Sequence, residues 1–242
     1  MNGLLKPRLV PRKTGPLVEW AAFREPTYVL FCCGCFFYFW ALYFGFFYIN
    51  SFARYVIGFS STSSNNLLLI TNAVGIPARP VFGWIADTFV GPVNMFLVLV
   101  LCVTTRGLIN DLTRRTGKRA CAVTLCVGGL LYAWIGIRDR AGMYAFSAVY
   151  GIAASASQGM FVSSLASLTK DPSKMGIRFG MVCTILAFAT LAGPPTAGAI
   201  IDRAGGRYVF AQIWGGAVML LCFLMVAAAR VWGTGLKLLV WC

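Results

Sequence analysis

"NAVGIPARPVFGWIAD", residues 72–87, lies within an apolar run, Asn66–Ala86, that is long enough to cross a bilayer. That run carries one formal charge, Arg79, set between Pro77 and Pro80. A cation at mid-bilayer costs about 2.5–3.5 kcal/mol even on the lenient insertion scale. Such a residue therefore faces the interior of a helix bundle or a wet cavity, and by default it marks a functional site. The stretch raises two matters together: whether the chain spans a membrane, and what the guanidinium does there.

Composition answers the first. Of 242 residues, 59% are hydrophobic and only 12% are charged, against roughly 25% charged in soluble domains. The mean hydropathy is +0.76. Five further runs hold no Asp, Glu, Lys or Arg: Thr27–Tyr48, Ala120–Ile137, Gly142–Leu168, Phe179–Ile201 and Tyr208–Ala229. Each approaches or exceeds the length a membrane helix needs. The expected fold is an all-α membrane protein, a six-helix bundle. Its expected parts are a basic cytoplasmic segment 1–26, a six-span unit 27–229 and a cytoplasmic tail 230–242.

"MNGLLKPRLVPRK" has no apolar h-region, so the first span is expected to act as its own insertion signal. With six spans, Lys6, Arg8, Arg12, Lys13, Arg24, Lys170, Lys174, Arg178, Arg230 and Lys237 share one side, and the opposite side holds Arg54, Arg138, Arg140, Arg203 and Arg207. The positive-inside rule then places both termini in the cytoplasm. The net charge of +14 sits between the spans, which argues against a nucleic-acid partner and for a lipid bilayer.

The third span is interrupted. Val93–Val103 has eleven residues, about 16 Å of helix, or half a hydrocarbon core. A basic insertion follows at about 102–126, with Arg106, Arg114, Arg115, Lys118 and Arg119. Either Ala120–Ile137 serves as the third span, with Val93–Val103 in the interface or against the bundle, or the insertion is a translated intron.

Several side chains stand out. Asn72, Gly75, Arg79 and Gly83 share one helical side. The two glycines leave room beside the guanidinium, and Asn72 can share a hydrogen bond to a bound anion. An arginine holds a carboxylate through two parallel bonds, which lysine cannot copy. The competing reading has Arg79 capping the carbonyls freed by Pro77 and Pro80. In the fourth span Ser147, Gly151, Ser155, Gly159, Ser163 and Ser167 form a stripe of small residues, which suits close helix packing. Gln158, near mid-span, is a candidate for lining a cavity. In the first span, with twelve aromatics from Tyr28 to Tyr48, Tyr43 is the candidate to reach that cavity, with Tyr48 and Asn50 nearer its outer mouth. In the fifth span Gly193, Pro194 and Pro195 predict a bend that faces protein or water.

The pattern Gly-x-x-x-Asp-x-x-x-Gly occurs twice, as Gly83–Asp87–Gly91 and Gly198–Asp202–Gly206, at the ends of the second and fifth spans. Inverted three-helix repeats predict such an echo on opposite sides of a membrane. The nine cysteines lie mostly in or beside apolar runs. With no histidine and no second cysteine pair at ligand spacing, no metal or other cofactor is expected. No phosphate-cradling loop or catalytic signature points to an enzyme.

"ARPVFGWIAD" (78–87), "VYGIAASASQG" (149–159), "KMGIRFGM" (174–181) and "LAGPPTAGAIID" (191–202), in this order and spacing, resemble the C-terminal half of a major facilitator superfamily transporter of the monocarboxylate porter-like group common in fungi. The resemblance covers nearly the whole chain except the insertion. It implies a plasma-membrane transporter with two six-helix halves around a central cavity, residues 6–24 being similar to the linker between them. It also implies that Arg79 is the residue contacting a substrate anion. Animal members carry an aspartate one turn earlier, linked to proton coupling, where this chain has Gly75. Two readings follow. One is a secondary transporter of a small organic solute, such as a monocarboxylate or other organic anion, working by alternating access with a partner half or as a homodimer. The other is a truncated membrane polypeptide or interaction remnant that does not transport.

Overall fold

The structure, a computed structural model, describes residues 18–102, 130–169 and 171–234. The basic insertion after Cys102, most of Ala120–Ile137 and most of both terminal segments lie outside the described residues. Seven α-helices are described: α1 Pro26–Phe52, α2 Ser61–Ile85, α3 Pro92–Cys102, α4 Leu130–Ile135, α5 Arg140–Leu168, α6 Met175–Arg203 and α7 Val209–Thr234.

Their limits follow local chemistry. Pro26 opens α1 at a position where its missing N–H costs nothing. Ser60 caps α2 by accepting the Ser63 amide at 3.3 Å, and Asp139 caps α5 through the Gly142 amide at 2.9 Å. α2 and α6 end alike. Gly91 donates its amide to the Ala86 carbonyl at 2.8 Å, and Gly206 donates to Ile201 at 2.9 Å. Both bonds reach five residues back, and both glycines have φ +83°, a conformation that penalises any side chain. The two copies of the Gly-x-x-x-Asp-x-x-x-Gly pattern therefore share a bond five residues back from a glycine of positive φ.

Among the described residues four segments are long and apolar enough to cross a membrane: Pro26–Ile57, Ser61–Phe89, Pro172–Arg203 and Val209–Gly233. α5, at 29 residues or about 43 Å, is longer than a hydrocarbon core is thick. α2 lies mainly along α5, while α1 lies along α7 and α6. α3 packs on both α5 and α7, and α4 packs on α7. Both pieces of the interrupted span thus bury side chains in one bundle: Val93, Met95, Phe96 and Leu99 from α3, and Leu130, Leu131 and Trp134 from α4. Of the two placements expected for Val93–Val103, the described part lies against the bundle.

Aromatic rings fill the centre. Trp134 stands 5.2 Å from Phe44, 5.4 Å from Phe52 and 5.1 Å from Phe146 between ring centres, so α4 is wedged between α1 and α5. Tyr150 donates to the Leu42 carbonyl at 2.6 Å, and Tyr38 bonds the Ser157 hydroxyl. Each phenol thereby keeps a partner inside an apolar core.

The small-residue stripe explains the α2–α5 contact. Thr71, Gly75 and Arg79 on α2 advance by four residues against Gly151, Ser155 and Gly159 on α5. A Cβ on Gly151 would lie 2.3 Å from the Thr71 carbonyl oxygen. Only glycine permits this approach, and Thr71 Oγ1 also donates to the Ser147 carbonyl at 3.3 Å. Gly193 serves α1 and α6 in the same way, since a Cβ there would lie 2.4 Å from the Trp40 carbonyl oxygen. Tyr48 donates to the Pro194 carbonyl at 3.1 Å, and a Cβ on Gly198 would meet the Tyr48 hydroxyl at 2.5 Å. With Pro194 and Pro195 inside it, α6 still runs unbroken.

Candidate functional site

A cavity of about 520 Å³ opens between α1, α2 and α5. α1 contributes Tyr43, Phe46, Phe47, Asn50 and Ser51; α2 contributes Leu68, Asn72 and Arg79; α5 contributes Ser155 and Gln158. The four residues expected from the sequence to bind substrate (Tyr43, Asn72, Arg79 and Gln158) therefore line one space.

Arg79 Nη2 donates to Gln158 Oε1 at 3.1 Å. The stem of Arg79 lies over Gly159, where an added Cβ would stand 3.8 Å from Arg79 Cβ and Cγ. Among the described residues no carboxylate pairs with Arg79. Its bond goes to Gln158 and not to the carbonyls that Pro77 and Pro80 leave open, so the capping alternative is not the arrangement formed. A guanidinium has five N–H donors and no acceptor. One is used by a neutral amide, and the group remains exposed at the cavity.

One expectation about its neighbours changes. Gly75 does not leave room for the guanidinium. It is buried against α5, and a Cβ there would lie 2.0 Å from Ser155 Oγ and 2.8 Å from Ser155 Cβ. The same contact disfavours any side chain here, and an aspartate at this position would collide with Ser155. Gly83 does lie open, its nearest outside atom to a built Cβ being Met160 Cε at 3.9 Å. Asn72 donates its amide back to the Leu68 carbonyl at 2.8 Å, so one N–H and the Oδ1 acceptor remain for a ligand.

The α1 wall is aromatic. Tyr43 lies 6.1 Å from Phe46 and 6.3 Å from Phe47. Phe46 is braced edge-on against Tyr150 at 5.6 Å. At the end near the α1–α2 connection, Asn50 donates to Asn65 at 2.8 Å and fixes the register of the two antiparallel helices. Asp87 and Asp202 are exposed at the ends of α2 and α6, away from this lining.

Sequence reasoning missed a second charged cluster. Lys174 and Arg178 were expected in the loop between the fourth and fifth spans, but Arg178 sits in the first turn of α6 and is only 5% exposed. It holds Glu25 through two bonds, 2.6 and 3.0 Å, and Glu19 at 3.1 Å. Lys174 reaches Glu19 at 2.8 Å. Arg178 also lies over the Tyr28 ring at 5.4 Å, and the Tyr28 hydroxyl donates to the Arg178 carbonyl at 3.1 Å. The hydrogen bonds from Arg178 and then Lys174 hold the Glu19 carboxyl below its ordinary value, against the opposing effect of burial. The available signal was a Lys–Arg pair at i, i+4 facing two of only seven acids in the chain.

This architecture defines a class: an all-α membrane protein with a polar cavity among its helices. No protein-family model matches the chain. Comparison with characterised proteins narrows the class. An MFS-type transporter of Gibberella zeae is 35% identical over 93% of the chain and 46% of its own length. MFS-type transporter opdF of Penicillium oxalicum is 27% identical over 96% of the chain and 48% of its own length. Aspyridones efflux protein apdF of Emericella nidulans is 27% identical over 91% of the chain and 40% of its own length. By these matches the chain is similar to part of proteins named as transporters, two of them as MFS-type, that is, major facilitator superfamily, transporters. The chain spans about half the length of the curated relatives it matches.

Proposed function

We propose that the chain forms the C-terminal six-helix half of a transporter that moves a small organic anion by alternating access, with Arg79 as the anion contact. The observation that carries this reading is the Arg79 guanidinium, exposed at a cavity inside the bundle and bonded only to the neutral Gln158 among the described residues. A cation at membrane depth without a countercharge is expensive, and a ligand carboxylate lowers that cost through a bidentate pair. Asn72, Gln158 and Tyr43 complete the proposed contacts.

The cavity walls come from α1, α2 and α5 alone, which suits one side of a site at a repeat interface. The facing wall is then a partner half or a second copy of this chain. The Emericella nidulans relative is named for efflux of aspyridones, so the reading is not restricted to simple monocarboxylates. A plasma-membrane location, cytoplasmic termini and a fungal source complete the reading, the last supported by the relatives' organisms. In membranes containing the protein, organic-anion uptake falls about tenfold or more on Arg79→Ala, the loss of a charge-assisted hydrogen-bonded contact. It changes little on Arg138→Ala, outside the cavity lining. Equal uptake in the two variants rejects the anion site and favours a polypeptide that does not transport through this cavity.

A further inference from the structure

Resting on that reading, we infer that the cavity selects an amphipathic acid: an anionic head at Arg79 joined to an aryl or similarly flat apolar body lying about 10 Å away along the helices. The cavity carries its cation, Arg79, at one end and its ring surface, Tyr43, Phe46 and Phe47, further along, before Asn50 and Ser51 towards the α1–α2 connection. The Asn50–Asn65 bond sets the antiparallel register of α1 and α2. In that register Tyr43 stands level with Asn72, and Phe46 and Phe47 stand level with Leu68 and Leu69. Arg79 lies seven residues further along α2 than Asn72, a rise of about 10 Å. Gln158, on the neighbouring helix, is level with Arg79 and bonded to it. Head and body contacts are thus separated along one axis.

The two stretches also differ in what they offer. At the Arg79 end are N–H donors and the Gln158 amide. Further along, Tyr43 and Phe47 present ring surface. Phe47 is 60% exposed, while Phe46 behind it is held by Tyr150. Flat apolar groups stack on such rings at small entropic cost, because the rings are already placed. A short acid such as acetate reaches Arg79 but spans only a fraction of the distance to the rings, so it gains nothing from them. The separation of Arg79 from Tyr43, about 10 Å along the helices, therefore acts as a ruler for ligand length.

The test uses the full chain in lipid nanodiscs and equilibrium binding of three probes: acetate, 4-phenylbutyrate and the neutral 4-phenylbutanol, with protein-free nanodiscs subtracted. The wild type binds 4-phenylbutyrate about tenfold or more tightly than acetate, the gain expected from burying one ring. Phe47→Ala, at an exposed position, lowers that preference several-fold while acetate binding holds, and Tyr43→Ala weakens 4-phenylbutyrate binding several-fold. Arg79→Gln removes the advantage of 4-phenylbutyrate over 4-phenylbutanol. If acetate and 4-phenylbutyrate bind equally to the wild type and both need Arg79, the anion reading stands and the amphipathic selection is overturned. A preference for 4-phenylbutyrate unchanged in both ring variants also overturns it. If neither acid binds, the anion reading itself fails.

Discussion

Arg79 has a bed for its stem in Gly159 and a single neutral partner in Gln158. Its charge is thus held in place without being neutralised by a described side chain. Lysine keeps the charge but loses the planar fork, so Arg79→Lys is expected to bind an organic acid about tenfold more weakly than wild type in an equilibrium binding assay. Near-equal binding would reduce Arg79 to a point charge. Gly75 makes a different prediction. The atoms that crowd a Cβ there belong chiefly to the Ser155 side chain, whereas those at Gly151 belong to the Thr71 backbone. Gly75→Ala is expected to cost about 1–3 kcal/mol by overpacking and to be largely rescued by Ser155→Gly. Gly151→Ala is expected to resist rescue by any side-chain trim at Thr71. Thermal unfolding of detergent-solubilised variants followed by size-exclusion chromatography reads both. The residues 72, 75, 79 and 83 were legible as one face from spacing alone. Their separate duties were not, because spacing does not reveal which neighbour fills each gap.

At the scale of elements, the cluster of Glu19, Glu25, Lys174 and Arg178 ties the turn before α1 to the start of α6. Removing Arg178 would leave Glu19, whose side chain is only 10% exposed, facing Lys174 alone. Arg178→Ala is expected to destabilise by about 3 kcal/mol, the low end for orphaning a buried partner. Glu25→Gln should cost less than about 1 kcal/mol, because half of that side chain is exposed to solvent. The Glu19 carboxyl titrates below its ordinary 4.5 when folded. Its stabilising effect is therefore complete above about pH 4.5 and is lost as pH falls through the folded value. Wild-type thermal stability should drop between pH 5 and 3 more steeply than that of Glu19→Gln, measured by the same chromatographic assay; parallel curves would contradict the assignment. This clamp was illegible in sequence for a plain reason. A charge beside an apolar run reads as a loop charge unless its distant partners, here about 150 residues away in sequence, are known. The long helices were legible because continuous apolar runs must be helical in lipid. The small-residue stripe on α5 foretold close packing but not its partner, α2.

Across the whole molecule, two packing systems surround the cavity. α2 lies on α5 through glycine and serine contacts, α1 lies on α6 and α7, and aromatic rings from α1, α4 and α5 fill the middle. The cavity opens where α1 meets the α2–α5 pair. The central claim is that an organic acid occupies this space through Arg79, and Asn72→Cys offers a direct probe of it. Asn72 is exposed on the lining, seven residues from Arg79. Its labelling by a maleimide, scored at residue 72 by mass spectrometry so that the exposed Cys33 does not interfere, reports occupancy. The account predicts that 4-phenylbutyrate slows labelling, that choline does not, and that Arg79→Gln abolishes the protection. Protection that persists undiminished in Arg79→Gln, or labelling that 4-phenylbutyrate leaves unchanged in the presence of Arg79, would contradict it.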